Sequence, residues 1–285
     1  MNKGLLLTLL LLVFGCIVMA QSPTKKELLL AAAKNMDMES RRDFSEAIIK
    51  AKNKGWALSY KSGNKSSAYL MGMDAFGQPI YYISYADPVN AITINTQKLW
   101  IGGSTGLNLS GASDSITNKL GIWDEGLPRK THREYIGRIY IKDSSASTND
   151  HSSHVMGTMM STGINPLAKG MAYGIKSAYA YDWNNDASEM AAAAANGLYA
   201  SNHSYGTVCG WDYNTDSSRW EYNGKYNEKE DYRFGLYDNQ AQRYDSIMYN
   251  APNYLIVKSA GNSRSSNGPT KNASGSWINN DSTFF

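Results

Sequence analysis

From Lys119 to Val257, short apolar runs alternate with stretches of helical spacing. The apolar runs have the length of strands, and the stretches between them are long enough for helices. Such alternation is typical of a mostly parallel sheet with helices on both faces. The sequence therefore predicts an α/β fold, a doubly wound, mostly parallel sheet, over residues 116–285. The predicted strands cover 120–123, 136–141, 175–181, 201–205 and 254–257, and the predicted helices cover 151–163, 188–199 and 240–249.

Residues 21–115 have a different pattern and are predicted to form a small α+β N-terminal extension or pro-region. Asp43 and Glu46 have the spacing of a capping box, so a helix is expected to begin there and to end at Gly55. Strand-like runs follow at 56–60, 68–73 and 80–85. The alternative is that these residues form an edge of the larger domain.

Residues 1–20 have the pattern of a signal peptide. Lys3 supplies a positive start, residues 5–18 form an apolar core, and Ala20 is a small residue suited to signal-peptidase cleavage. Export is therefore expected, with the mature chain secreted. The alternative is a lipid anchor on Cys16, suggested by a weak likeness of residues 13–16 to a lipoprotein cleavage box.

Cleavage after Ala20 leaves Cys209 as the remaining cysteine, so no internal disulfide is expected. We expect this residue to be a small buried hydrophobe rather than a nucleophile, because it has no partnered motif. The net charge is +3 and no run rich in Lys or Arg occurs, which argues against a nucleic-acid partner.

Polar side chains follow the predicted strands where each strand ends. Asp124, Ser204 and Asn262 all lie at or just past such an end. In sheets of this kind, ligands bind outside the carboxyl ends of the strands. Asp150 is predicted to cap the following helix, which places His151 in its first turn and buries Val155 and Met159.

These side chains suit a proton-transfer site. A neutral histidine that is held by a buried carboxylate can act as a general base toward a hydroxyl group. The amide of Asn262 can donate a hydrogen bond to a developing oxyanion. The set therefore has a carboxylate that holds the base, the base itself and an oxyanion donor, but it has no nucleophile.

Five motifs in order resemble those of the subtilisin-like serine proteases (subtilases). The resemblance spans residues 119–262 and implies that Asp124 orients His151, that His151 is the base and that Asn262 binds the oxyanion. It also implies that Ser204, Tyr205 and Gly206 pair with the substrate backbone. The motifs are Ile122-Trp123-Asp124-Glu125-Gly126, His151-Ser152-Ser153-His154-Val155-Met156-Gly157-Thr158, Gly170-Met171-Ala172-Tyr173-Gly174, Ser201-Asn202-His203-Ser204-Tyr205-Gly206 and Ser259-Ala260-Gly261-Asn262-Ser263.

The chain departs from the family pattern in three ways. Ser152 replaces the glycine of the histidine motif, and Tyr173-Gly174 replaces a proline turn. No Gly-Thr-Ser-Met-Ala motif, which carries the nucleophile in this family, occurs in the sequence. We therefore predict a secreted serine endopeptidase that is present as a fragment, inactive by itself. Its partners would be protein or peptide substrates, with no membrane after signal cleavage, and it is expected to be a monomer.

Two other interpretations stay open. His151, His154 and His203, with Asp124 and Asp150, could form a zinc shell, although their spacing is not that of the zinc peptidases. An exported, non-catalytic module that binds peptides or glycans would use the aromatic insertion at 207–235. No cofactor is certain, but calcium is possible on the acidic residues of that insertion. The aromatic residues are Trp211, Tyr213, Trp220, Tyr222 and Tyr226, and the acidic residues are Asp212, Asp216, Glu228 and Asp231.

Overall fold

A five-stranded parallel sheet and a four-stranded antiparallel sheet organise this mixed α/β protein. The computed structural model describes residues 23–63, 66–84, 91, 93–144, 147–225, 230–263, 268–269 and 283–284. In that part of the chain the α-helices are α1 (Lys26–Lys54), α2 (Asp150–Met160), α3 (Asp186–Ala195) and α4 (Asn239–Asn250). The strands are β1 (Ser59–Lys61), β2 (Ser67–Met73), β3 (Pro79–Ser84), β4 (Leu120–Asp124), β5 (Ile139–Ile141), β6 (Ala178–Asp182), β7 (Ala200–His203), β8 (Tyr205–Thr207), β9 (Trp211–Asn214), β10 (Arg219–Tyr222), β11 (Leu255–Lys258) and β12 (Thr283–Phe284).

The parallel sheet has the order β11-β7-β4-β6-β5. The chain enters at the central strand β4, forms β5 and β6 on one side, and then crosses to form β7 and β11 on the other. Parallel neighbours require long crossover connections, which is why a helix lies between most successive strands. The order reverses at β4, and this is the place where α/β sheets have an open crevice at their carboxyl ends.

Neighbouring residues of β4 face opposite sides of the parallel sheet, because side chains alternate along a strand. Ile122 packs with Met156 and Met160 of α2, and we call this side the α2 face. Trp123 packs in the core that includes Met190 of α3 and Ile247 of α4, and we call this side the α3–α4 face. Helices therefore cover both faces of the sheet.

Trp123 is the centre of a stack that crosses three strands. Its indole lies 4.2 Å from the ring of Tyr181 on β6 and 5.2 Å from the ring of His203 on β7, with interplanar angles of 4° and 15°. All three side chains point to the α3–α4 face. This stack fixes the lateral register of β6, β4 and β7 next to their carboxyl ends.

The N-terminal extension is joined to the parallel sheet through the antiparallel sheet β1-β2-β3-β8. β8 follows directly after β7, and it pairs with β3 through Tyr82–Thr207, Ile83–Gly206 and Ser84–Tyr205. α1 packs against α3 and β2, so the extension also covers part of the α3–α4 face.

The strand and helix alternation that the sequence predicts is present, with shorter elements than expected. Two predicted helix starts are wrong. α1 begins at Lys26 rather than Asp43, because Leu29, Ala33 and Met36 bury an apolar stripe before the expected start. The cap of α2 is Asn149, since its side-chain oxygen accepts a hydrogen bond from the amide of His151 at 2.7 Å, and Asp150 is the first helical residue.

Further predictions concern the end of α1, the buried face of α2 and the signal peptide. Gly55 ends α1 with φ of 72°, the left-handed conformation that glycine adopts without strain. In α2 the buried residues are Ser152, Met156 and Met160, so the prediction that Val155 and Met159 are buried is wrong; both are partly buried, because the helix is rotated by one position relative to the expected face. The signal peptide and Cys16 lie outside the described residues. Among the helices that the structure describes, none is long and apolar enough to cross a membrane.

Candidate functional site

Asp124 and His151 meet at the carboxyl end of β4. Asp124 is the last residue of β4 and points to the α2 face, in phase with Ile122. The cap by Asn149 orients the first turn of α2 so that His151 faces the strand end. The strand and the helix thus bring together a carboxylate and an imidazole whose residues lie 27 positions apart in sequence.

The distance from His151 Nδ1 to Asp124 Oδ1 is 2.5 Å. The Asp124 side chain is fully buried and that of His151 is 9% exposed. Asp124 Oδ1 also accepts a hydrogen bond from the amide of Glu125 at 2.7 Å. Burial raises the pKa of Asp124 above its ordinary value, and the hydrogen bond and charge of His151 act against that rise.

This geometry places the proton of a neutral imidazole on Nδ1, so that Nε2 of His151 carries the lone pair. The carboxylate then orients the ring and stabilises the imidazolium that forms when Nε2 takes a proton. The pair that the sequence predicts from Asp124 and His151 is therefore formed, and it is chemically suited to general-base catalysis.

The predicted substrate segment, Ser204–Gly206, spans the junction of β7 and β8. Ser204 is half-buried, and its hydroxyl accepts a hydrogen bond from Asn202 Nδ2 at 2.9 Å. Tyr205 and Gly206 pair with β3, so a strand of the N-terminal extension lies along this segment. The extension also contacts the residue next to Asp124, because Ser84 Oγ donates to Glu125 Oε2 at 2.6 Å.

Asn262 lies in an exposed loop at the same edge of the sheet as Asp124. Lys258 of β11 pairs with His203 of β7, and His203 pairs with Trp123 of β4, so Lys258 and Trp123 lie at the same level of the sheet. Asn262 is four residues after Lys258, on the carboxyl side of that level. β11 is two strands from β4, which corresponds to about 10 Å across the sheet. The structure thus brings Asp124 and His151 into contact and places Asn262 at the same carboxyl-end edge of the sheet. Its convergence with them stays a prediction.

The residues of the zinc alternative do not come together. His203 lies on the α3–α4 face, whereas His151 lies on the α2 face, and His154 is exposed. Within the described residues, no group of three or more His, Cys, Asp or Glu side chains is placed to hold a metal ion.

The acidic residues of the aromatic insertion accept hydrogen bonds from the protein itself. Asp212 accepts from Ser62 Oγ at 2.7 Å and Asp216 from the amide of Lys61 at 2.8 Å. Asp231 accepts from the amide of Gly210 at 2.7 Å. These contacts attach the insertion to the N-terminal strands and to itself. Glu228 lies outside the described residues.

A cavity of about 840 Å³ lies away from the Asp124–His151 pair. It lies between the β2–β3 hairpin and the amino ends of α3 and α4, and Met71, Trp183 and Asp186 are among its walls. Its walls are mostly apolar, and Arg233 is paired with Asp74 at 3.1 Å. We place the candidate site at the Asp124–His151 pair because proton-transfer chemistry depends on that contact rather than on cavity size.

Cys209 and His203 are two further residues with side chains that could take part in chemistry. Cys209 is partly buried, and burial raises its pKa to about 11, so it is a thiol at neutral pH and a poor nucleophile. His203 is fully buried and is hydrogen-bonded on both sides of its ring to hydroxyl groups. These hydrogen bonds were not predicted from the sequence, although the spacing of Ser201, His203 and Tyr205 at every second residue indicates one shared face.

Comparison with known proteins does not assign the chain to a family. The sequence matches no family model, and neither a curated protein nor a solved structure matches it.

Proposed function

We propose that this chain carries three catalytic groups of a secreted, subtilisin-like serine endopeptidase: the orienting carboxylate of Asp124, the base His151 and the oxyanion donor Asn262. The observation that carries the proposal is the 2.5 Å contact between His151 Nδ1 and Asp124 Oδ1 at the carboxyl end of the central parallel strand. The five ordered sequence motifs are a separate support.

In the proposed reaction, His151 Nε2 takes the proton of a serine hydroxyl while the serine oxygen attacks the peptide carbonyl carbon. Asp124 stabilises the resulting imidazolium, and the amide of Asn262 donates to the oxyanion. His151 then gives its proton to the leaving amine, and water hydrolyses the acyl-enzyme by the same route. No Gly-Thr-Ser-Met-Ala motif occurs in residues 1–285, so the isolated chain is proposed to be inactive.

The N-terminal extension has a direct relation to this proposal. A peptide that paired with Tyr205 and Gly206 along the edge used by β3 would have to replace that strand. This competition supports the interpretation of residues 21–115 as a pro-region.

The test uses the product of the complete gene, labelled with a serine-directed fluorophosphonate. We expect labelling of the wild type and a loss of at least a hundredfold in labelling rate in His151→Ala, because the base is removed. His154→Ala is the matched control, since it removes an exposed histidine one turn further along α2, and it should label normally. Absence of labelling in a folded wild type, or equal labelling of both variants, would refute the proposal.

A second candidate is a non-catalytic module that binds peptides or glycans. A cavity of about 380 Å³ bounded by Trp211, Tyr213 and Trp220 favours it. However, these rings also pack on one another across the β9–β10 hairpin, with centroids of Tyr213 and Trp220 at 5.5 Å. Calorimetric titration with oligosaccharides and peptides distinguishes this candidate, because Trp220→Ala would abolish binding while His151→Ala would not.

A further inference from the structure

A chain of buried hydrogen bonds passes through His203. The hydroxyl groups of Tyr254 and Ser201 are 2.6 Å apart, and Ser201 Oγ is 2.8 Å from His203 Nε2. On the other side of the ring, His203 Nδ1 is 2.9 Å from the hydroxyl of Tyr205, which donates to Asp186 Oδ2 at 2.7 Å. Ser201, His203 and Tyr205 are each at most 1% exposed, so water does not replace these contacts.

The direction of every bond follows from the Tyr205 hydroxyl, which has a single proton and donates it to Asp186 Oδ2. Tyr205 therefore uses its one proton on Asp186, and its oxygen must accept from His203. This requires a proton on Nδ1 of the ring. Nε2 then accepts from Ser201, and the oxygen of Ser201 accepts from Tyr254.

The groups around the ring keep it neutral. Burial, followed by the charge of Lys258, holds the pKa of His203 well below its ordinary value. Lys258 Nζ lies 4.1 Å from the centre of the Tyr205 ring, and Tyr244 of α4 donates a second hydrogen bond to Asp186 Oδ2 at 2.9 Å. Trp123 stacks on the imidazole. The charged groups that face His203 are thus one ammonium and one carboxylate that two tyrosines satisfy.

We propose that this chain fixes His203 as the Nδ1–H tautomer and that His203 is a positioning residue for the Ser204–Gly206 segment. His203 and Tyr205 flank Ser204 and are both anchored by the chain, so the backbone between them has two fixed ends. The tautomer is independent of any catalytic activity. The importance of the positioned segment for substrate rests on the proposed function.

Removal of the Tyr205 hydroxyl distinguishes this arrangement from simple packing. In Tyr205→Phe, His203 Nδ1 has no acceptor, and the rest of the chain can reverse: Nε2–H donates to Ser201, and Ser201 donates to Tyr254. The ring should therefore change to the Nε2–H tautomer. In Ser201→Ala the bond to Tyr205 remains, so the Nδ1–H tautomer should persist.

The experiment is long-range ¹H–¹⁵N correlation spectroscopy of the histidine rings in the whole chain. We expect Nδ1–H in the wild type and in Ser201→Ala, and Nε2–H in Tyr205→Phe, with no change in the His203 signals between pH 5 and pH 8. An Nε2–H wild type, or a Tyr205→Phe spectrum like that of the wild type, would overturn the proposed tautomer. The wild type and Ser201→Ala decide the question if Tyr205→Phe does not fold.

Hydrogen exchange with mass spectrometry tests the positioning on the same proteins. Tyr205→Phe should raise amide exchange in the peptide that covers residues 204–208 at least tenfold, including the amide of Val208, which donates to Tyr81 at 2.8 Å. Tyr140→Phe is the matched control, because Tyr140 is 53% exposed on β5. Unchanged exchange in Tyr205→Phe overturns the positioning role. Neither measurement needs catalysis, so a failure of fluorophosphonate labelling would remove the proposed function and leave these results valid.

Discussion

On the α2 side of the parallel sheet Glu134 and Arg138 are held as charged groups, whereas on the α3–α4 side His203 and Glu189 are held neutral. Glu134 and Arg138 lie on the α2 side and hold loops through charge-assisted hydrogen bonds. On the other side His203 is neutral and burial raises the pKa of Glu189 to about 10, with nearby Asp143 adding to the rise. Burial disfavours charge on both faces, so the partners decide the outcome.

The difference between the two faces lies in the kind of partner. Glu134 faces backbone amides, which can only donate, and these stabilise the carboxylate. Glu189 faces Asp143, a second carboxylate, and in the described part of the chain it accepts one hydrogen bond, from Trp123 Nε1 at 2.9 Å. Asp124 is intermediate, because burial raises its pKa while His151 opposes the rise. Asp124 therefore depends on its contact with His151 to oppose the effect of burial.

Substitution of Glu134 should have the largest effect on stability. Its carboxylate accepts from Thr162 Oγ1 at 2.8 Å and from the amides of Gly163, Ile164 and Asn165 at 2.9, 3.1 and 3.0 Å. Glu134→Ala leaves these donors without their acceptor and should lower the free energy of unfolding by about 3 kcal/mol. Urea denaturation at pH 7 measures the loss.

The pH dependence of the same site gives an independent check. Burial acts to raise the pKa of Glu134, but hydrogen bonds from Asn165, Thr162, Ile164 and Gly163 lower it to about 2. A carboxyl group whose pKa is lower in the folded than in the unfolded state stabilises the fold above pH 4.5, and this stabilisation is lost as the pH falls toward 2. The difference between wild type and Glu134→Gln should therefore shrink from pH 7 to pH 3. A constant difference would contradict the charged state of Glu134.

Arg138 is expected to have the next largest effect. Its guanidinium donates to the carbonyl oxygens of Tyr173 and Ile175 at 3.1 and 2.9 Å, and to those of Glu134 and Met160 at 2.6 Å each. A lysine ammonium has three donors at one point and cannot span these four oxygens. Arg138→Lys should therefore cost about 2 kcal/mol in the free energy of unfolding, measured with urea.

The exposed pair Arg41–Asp37 on α1 provides the control for this substitution. Arg41→Lys should leave the urea midpoint unchanged within error, because exposed ion pairs contribute little to stability. Equal effects of the two Arg→Lys substitutions would show that the burial of Arg138 has no energetic consequence.

The sequence predicted those parts of the structure that depend on local patterns. The alternation of strand and helix, the end of α1 at Gly55 and the contact of Asp124 with His151 follow from periodicity, capping and strand-end position. The cap of α2 was misplaced by one residue, since Asn149 and Asp150 are both good capping residues and only the fold selects between them.

The parts that the sequence did not predict depend on contacts between distant segments. The helix start at Lys26 depends on α3, against which Leu29 and Ala33 pack. The pairing of β3 with β8 joins residues more than 120 positions apart, which no local pattern encodes. The chain through His203 needs Asp186 and Tyr254, which come from α3 and from the residue before β11.

The smallest predicted effect tests the neutral face. A carboxyl group whose folded pKa is raised to about 10 from an ordinary 4.5 binds more protons in the folded state, so stability falls as the pH rises between these values. Glu189→Gln keeps an acceptor for Trp123 and removes this dependence. We expect the wild type to lose about 1–2 kcal/mol more than Glu189→Gln between pH 6 and pH 9, measured as urea unfolding free energies. If both proteins respond equally to pH, Glu189 is ionised and the contrast between the two faces is wrong. A smaller loss in Glu189→Gln, together with acid-sensitive stability at Glu134, would show that the two glutamates are held in opposite charge states on the two sides of the sheet, Glu134 as an ion and Glu189 as a neutral acid.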